Sequence, residues 1–292
     1  MNLAFIVCDH GLGHLRRVCI FASSLIRQNN TVTLFASHSD YILLTRSLTN
    51  ISGLTIVDFS TNTSPNLYFE SSLDNIIGWI HDLPSLDYFD IIFSDNLPEV
   101  LLLYPNCILI AQFFWHDVIP TCNRTYVELC NRLLQVHNPI ILSDHIFAMP
   151  IVRQQTNFIP SNHFFNPDLI SAHLSSSPSI RTNLLITGGS TQLLRPQFMN
   201  IVETYKENKP TDYHTIFLDP NLYHSGLPSW FSLADFTIGM FCTLRHAICR
   251  PGLGIITDLL TVSVLPDTIV DNDNLEMLHN ATCIEHLKKL RQ

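Results

Sequence analysis

The sequence predicts an α/β protein built as two doubly wound halves. Three observations carry that expectation. Short, continuous apolar runs alternate with helical patterns along most of the 292 residues. Each half opens alike, with an apolar strand, a glycine turn and a helix. Between them, Met149 to Arg181 loses the pattern and gathers Pro150, Pro160, Pro167, Pro178 and the run Ser175-Ser176-Ser177. Unbroken apolar strands suit sheets covered by helices on both faces, and strand–helix alternation gives βαβ units with parallel strands. Two Rossmann-like domains follow, over 1–150 and 183–292, joined by a connection at 151–182.

In the first half the strands are expected at "LAFIVC" (3–8), "TVTLFAS" (31–37), "LTIVDF" (54–59), "DIIFSD" (90–95) and "CILIAQFF" (107–114). Helices fall between them, near 14–28, 39–48, 71–82 and 120–136. The second half begins at "NLLITGGS" (183–190) and continues with a helix over 195–207, "HTIFLD" (214–219) and "DFTIGM" (235–240). A helix opening near "RPGLG" (250–254), the strand "SVLPDTI" (263–269) and a closing helix over 273–289 complete it. Right-handed crossovers place all strand C-termini on one edge, where open α/β sheets bind ligands.

Hydrophobic residues make up 46% and charged ones 14%, enough to bury a core and too little charge for disorder. The net charge of −9 argues against a nucleic-acid partner, which needs clustered cations. An anionic small molecule stays compatible with it, through local arginines and helix N-termini. The eight cysteines form no C-x-x-C pair and several lie in apolar runs, so buried thiols in a reducing, cytoplasmic setting are expected. "MNLAFIVC" has no basic segment before its apolar residues, and no run approaches the roughly 18 apolar residues of a membrane span. Neither a secretory signal nor a transmembrane segment is expected; peripheral contact with a membrane stays open.

Four segments carry candidate chemistry. Gly11-Leu12-Gly13-His14 ends the first strand and starts the first helix, with Arg16 and Arg17 following. Glycines let another group approach the backbone, and free N–H groups at the helix start favour an anion. His14 adds an imidazole suited to general-base work. A plain tight turn with a hydrogen-bonded histidine is the alternative. Thr187-Gly188-Gly189-Ser190 repeats the arrangement in the second half and would seat a diphosphate, or serve only steric needs. In "CRPGLGIITD" (249–258), Pro251 suits the first position of a helix, Gly252 and Gly254 open its N-terminus, Arg250 offers a cation, and Thr257 and Asp258 lie a turn further in. The alternative there is a surface loop. "NDNLEMLHNA" (272–281) starts a helix capped by Asn272 or Asp273. Asp95, His116 and Asp117 end two strands on the ligand edge, with core or loop roles equally open.

Taken together, these segments resemble the GT-B superfamily of nucleotide-sugar enzymes. The likeness is to the group of the peptidoglycan N-acetylglucosaminyltransferase and the UDP-sugar hydrolase of pseudaminic acid synthesis. "GLGHLRR" (11–17) is similar to its G-x-G-H-x-x-R turn, "LLITGGS" (184–190) to its second-domain opening, "RPGLGIITD" (250–258) to its donor-phosphate loop, and "NLEMLHNA" (274–281) to the helix after it. The resemblance implies two domains facing across a cleft. It implies that Gly188, Gly189, Ser190, Gly252 and Gly254 contact the diphosphate of a UDP-sugar, with Asp258 on the ribose. His14 would deprotonate the hydroxyl of a small-molecule or lipid-linked acceptor. Gly11, Gly13, Arg17, Asp95, His116, Arg250, Thr257, Glu276 and Asn280 complete the expected substrate contacts. The implied reaction is inverting glycosyl transfer with no metal or other cofactor. Hydrolysis, with water as acceptor, and binding without chemistry are its alternatives.

Overall fold

A computed structural model describes residues 1–9, 12–45, 53–61, 68, 72–119, 121–162, 164–175, 181–189, 192–208 and 210–291. The chain divides into two compact units, Met1–Phe164 and Phe165–Gln292.

The first unit holds a parallel sheet of β1 (Asn2–Ile6), β2 (Thr31–Ala36), β3 (Leu54–Asp58), β4 (Ile91–Asp95), β5 (Ile108–Ile110), β6 (Ile141–Ser143) and β7 (Phe158–Pro160). Their order is β3-β2-β1-β4-β5-β6-β7. Leu3 and Phe5 of β1 enter one core with Leu15, Val18, Cys19 and Ala22 of α1 (Leu12–Ile26). Those four recur at helical spacing and give α1 a single buried face. Ala4 and Ile6 point the other way, into a core with Trp79, Val100, Leu133 and Leu134. Burial on both faces is why β1 reads as an unbroken apolar run.

The helices of this unit are α1, α2 (His38–Thr45), α3 (Leu73–Ile77), α4 (Trp115–Val118), α5 (Arg124–His137) and α6 (Pro150–Arg153), with 3-10 turns at Gly78–Asp82 and Pro98–Leu102. Asn123 caps α5 by accepting from the Tyr126 amide, and Asn138 ends it in the left-handed region at φ 44°. The expected strand over 107–114 stops at Ile110. Beyond it the Gln112 side chain donates to the Phe147 carbonyl, while the Met149 amide donates to the Gln112 carbonyl, and this pulls the chain out of the ladder.

The second unit contains α7 (Pro167–Ser175), β8 (Asn183–Thr187), α8 (Arg195–Glu207), β9 (Ile216–Leu218), β10 (Phe231–Leu233), α9 (Ile238–Thr243), β11 (Leu244–Cys249), α10 (Leu253–Thr261), β12 (Asp267–Thr268) and α11 (Leu275–Leu290). Its parallel sheet runs β10-β9-β8-β11-β12. The expected strand "DFTIGM" is not one. Asp235 binds the amide and hydroxyl of Thr237, whose own oxygen caps α9, so the chain turns into a helix there. The strand lies in the following "LRHAIC". Asn274 caps α11, rather than Asn272 or Asp273. The stretch read as a connection carries α6, β7 and α7, and β7 is the outer strand of the first sheet.

None of the eight cysteines is in a disulfide, and Cys8, Cys19, Cys107, Cys130 and Cys249 are buried. Among the described residues no helix is long and apolar enough to cross a membrane.

Candidate functional site

In the first sheet the strand order reverses between β1 and β4, which opens a crevice beyond their C-terminal ends. His14 and Arg17 follow β1 on the first turns of α1, three residues apart, and therefore on one face of the helix. Asp95 ends β4. All three meet. His14 Nδ1 lies 2.8 Å from Asp95 Oδ2, and Arg17 Nε donates to Asp95 Oδ1 at 2.9 Å, with Nη2 donating to the same oxygen. Asp95 is 1% exposed and His14 9%.

The network fixes the histidine tautomer. A carboxylate oxygen has no hydrogen to give, so Nδ1 carries the proton and donates it to Asp95. Arg17 Nη2 lies 3.0 Å from Nδ1 and also donates to the carboxylate. In the neutral ring Nε2 then carries the lone pair. Burial works to raise the Asp95 pKa; the Arg17 charge, then His14 and the hydrogen bonds from both, overcome it and hold the carboxyl below its ordinary value. Trp115 lies beside the imidazole, ring centroids 5.8 Å apart, and Tyr68 stacks on Trp115.

Arg17, one of the expected substrate contacts, has its guanidinium engaged by Asp95. His116 is buried. It is the second residue of α4, which directs its ring inward to stack on Phe114 and meet Tyr126 edge-on. Burial pushes its pKa down to about 4 against a hydrogen bond with Asn131, so it is neutral near pH 7. Asp117 beside it is pushed up to about 6 by burial. A Cβ added at Gly13 would meet nothing within 4 Å. Gly11 lies outside the described residues.

The second sheet reverses between β8 and β11. Here the glycine turn differs from the expected diphosphate seat. The amides of Gly188 and Gly189 donate to Asp219 Oδ2 at 2.7 and 3.1 Å, and the Thr187 hydroxyl donates to it at 3.0 Å. Asp219, the end of the "HTIFLD" strand, was not singled out from sequence. Its signal was the same as that of Asp95, an acid closing an apolar strand on the ligand edge. Gly188 also has a packing reason, since a Cβ there would sit 2.9 Å from Phe198 Cδ2, and Gly189 has φ +64°. Ser190 lies outside the described residues.

Across the reversal, Arg250 follows β11. Its Nε contacts the Met277 thioether at 3.1 Å, and no salt bridge involving it occurs among the described residues. Its Nη1 lies 4.0 Å from the position of a Gly189 Cβ. Gly252 is the N-cap of α10 and makes no side-chain cap bond, and a Cβ there would meet nothing within 4 Å. Gly254 is the second residue of the helix. Asn280, fully buried, donates to the Pro251 carbonyl at 2.9 Å and so positions the loop from beneath. Thr257 binds the Leu253 carbonyl at 2.9 Å and Asp258 is 2% exposed, because both occupy the inner face of α10. The expected ribose contact of Asp258 is thus not presented at the surface. Glu276, in the first turn of α11, is half-buried.

No protein-family model matches the chain, and no curated protein matches it. Solved structures do. Two parallel sheets with helices, in two Rossmann-like units, are the architecture of the GT-B glycosyltransferases. The glycotransferase of kitacinnamycin matches at TM-score 0.61 and 15% identity, covering 98% of this chain and 84% of that one. Arabidopsis thaliana UGT89C1 complexed with quercetin matches at TM-score 0.60 and 14% identity, over 99% and 83%. SnogD from Streptomyces nogalater matches at 0.59 and 13%, over 98% and 95%. At these identities the likeness is one of fold.

Proposed function

We propose that the protein is a glycosyltransferase, moving a sugar from a nucleotide-diphosphate donor to a hydroxyl acceptor with inversion and without a metal. The observation that carries this reading is the His14–Asp95 pair at the β1/β4 reversal. An imidazole tied through Nδ1 to an ionised carboxylate keeps Nε2 as a base, and the carboxylate stabilises the imidazolium that forms. Nε2 takes the hydroxyl proton, the oxygen bonds to the anomeric carbon, and the bond from that carbon to the diphosphate oxygen breaks. The nucleoside diphosphate leaves with the electron pair. Arg250 and the free amides at the start of α10 offset its charge.

A UDP-sugar donor and a small-molecule acceptor are supported by the fold neighbour UGT89C1, whose structures include complexes with UDP-L-rhamnose and quercetin. Kinship with the peptidoglycan and pseudaminic acid enzymes rests on the motifs at 11–17 and 250–258. In this reading the first unit serves the acceptor and the second the donor. Glu276 takes the ribose contact that buried Asp258 does not offer.

The test is a panel of UDP-sugars incubated with phenolic, sugar and lipid-linked hydroxyl acceptors. Acceptor-dependent release of UDP is expected. Release of free sugar at the same rate in water alone would replace the transferase reading by a hydrolase.

A further inference from the structure

The seat between Gly188 and Gly189 is already filled by an anion. Asp219 Oδ2 receives the amides of both glycines and the Thr187 hydroxyl at 2.7–3.1 Å, and Oδ1 receives the Asn221 amide at 2.9 Å. Successive backbone N–H groups converging on one oxygen make an anion-binding nest. Asn221 closes the arrangement by donating its side-chain amide to the Gly189 carbonyl at 2.8 Å. Asp219 is 2% exposed, so no ligand reaches these amides without displacing it. Beside the nest stands Arg250, a half-buried cation whose described side-chain contact is a thioether.

We propose that Asp219 is a built-in occupant of the Gly188–Gly189 nest, which excludes phosphate from it, confines a diphosphate to Arg250 and the start of α10, and weakens diphosphate binding by its charge. The inference deepens the donor reading above and rests on it for the identity of the ligand. It makes Asp219 a positioning and specificity residue, since it touches the loop and not the reacting atoms. A carboxylate within a few ångströms of the loop acts on a multiply charged group through a short, partly desolvated path, where one unit charge changes affinity by tenfold or more. A neutral ligand at the same place would be indifferent to it.

The experiment is calorimetric titration of the whole protein and of Asp219→Asn with inorganic pyrophosphate, UDP and uridine. Asn keeps an oxygen for the nest and removes the charge. Pyrophosphate and UDP are expected to bind the variant about 10-fold more tightly, with uridine unchanged. Asp219→Ser, which leaves the nest open, is a second route if Asn lowers folding yield, and Asp219→Glu should behave as the parent. Unchanged or weaker pyrophosphate binding in both Asn and Ser variants would overturn the proposal. Tighter pyrophosphate binding with no response to UDP would uphold the nest and sink the nucleotide reading instead.

Discussion

At the scale of single residues, the proposed chemistry rests on His14, Asp95 and the glycines. His14→Ala should lower turnover by roughly 100-fold or more while UDP affinity persists, because the base acts in transfer and not in donor binding. Steady-state kinetics beside a binding titration checks it, and a near-normal rate would remove the imidazole from the mechanism. The glycines separate by what surrounds them. Gly188→Ala drives a methyl to within 2.9 Å of Phe198 and should destabilise by about 1–3 kcal/mol in urea unfolding. Gly252→Ala meets open space, so its unfolding curve should be unchanged while UDP binding weakens several-fold. An equal loss of stability in both variants would refute the distinction. The sequence placed glycines at both turns but carried no sign of which served packing. That depends on Phe198, ten residues on, and on the backbone φ of Gly189, neither of which a motif encodes. For His116 the sequence left cleft and core roles equally open: a strand-end histidine was legible, the inward turn of its short helix was not.

At the scale of elements, the 3-10 turn Pro98–Leu102 is pinned under α5 by a buried acid. Glu99 is fully buried and accepts from the Tyr126 hydroxyl at 3.0 Å. Burial pushes its pKa up to about 7, against its own backbone hydrogen bond and that of Tyr126. The folded chain therefore holds this proton more tightly than the unfolded chain does. Its contribution to stability is full below the ordinary value of 4.5 and is lost as pH rises through about 7, a fall on the order of 3 kcal/mol. Glu99→Gln keeps the acceptor and removes the titration. Its stability relative to the parent should rise between pH 5 and pH 8 in urea titrations, and a constant difference would contradict the assignment. Long strands and helices such as α1 and 195–207 were legible from periodicity alone. Of the three-residue strands, β5 and β9 fall inside the expected runs 107–114 and 214–219, while β6, β7 and β10 present too few side chains for a period of two to register. The "DFTIGM" segment was apolar enough for a strand, but Asp235 and Thr237 had the capping chemistry of a helix.

For the whole molecule, the alternation of strands and helices declared two α/β units, and each sheet reverses its order beside a glycine turn. The strand order itself was not readable, since nothing local tells β4 to pair with β1. If the second unit serves the donor, hydrogen exchange with bound UDP should slow at 250–255 and leave 12–17 unaffected. Protection confined to 12–17 would invert the assignment of the two units. The Pro-rich stretch looked like a linker because prolines break the helical pattern; Pro160 instead ends an outer strand, a position where its missing N–H leaves no ladder bond unmade.

The interred sulfurs have a practical consequence. Burial drives the thiols of Cys19 and Cys249 up to about 12, against slight opposition from Arg16 and Lys288 respectively, and leaves little thiolate to attack an electrophile. One lies in each unit, so alkylation at either of these two positions proceeds only as its host lobe opens. Mass-resolved labelling at these two positions becomes a clock for each lobe separately, recorded without adding a probe to the protein.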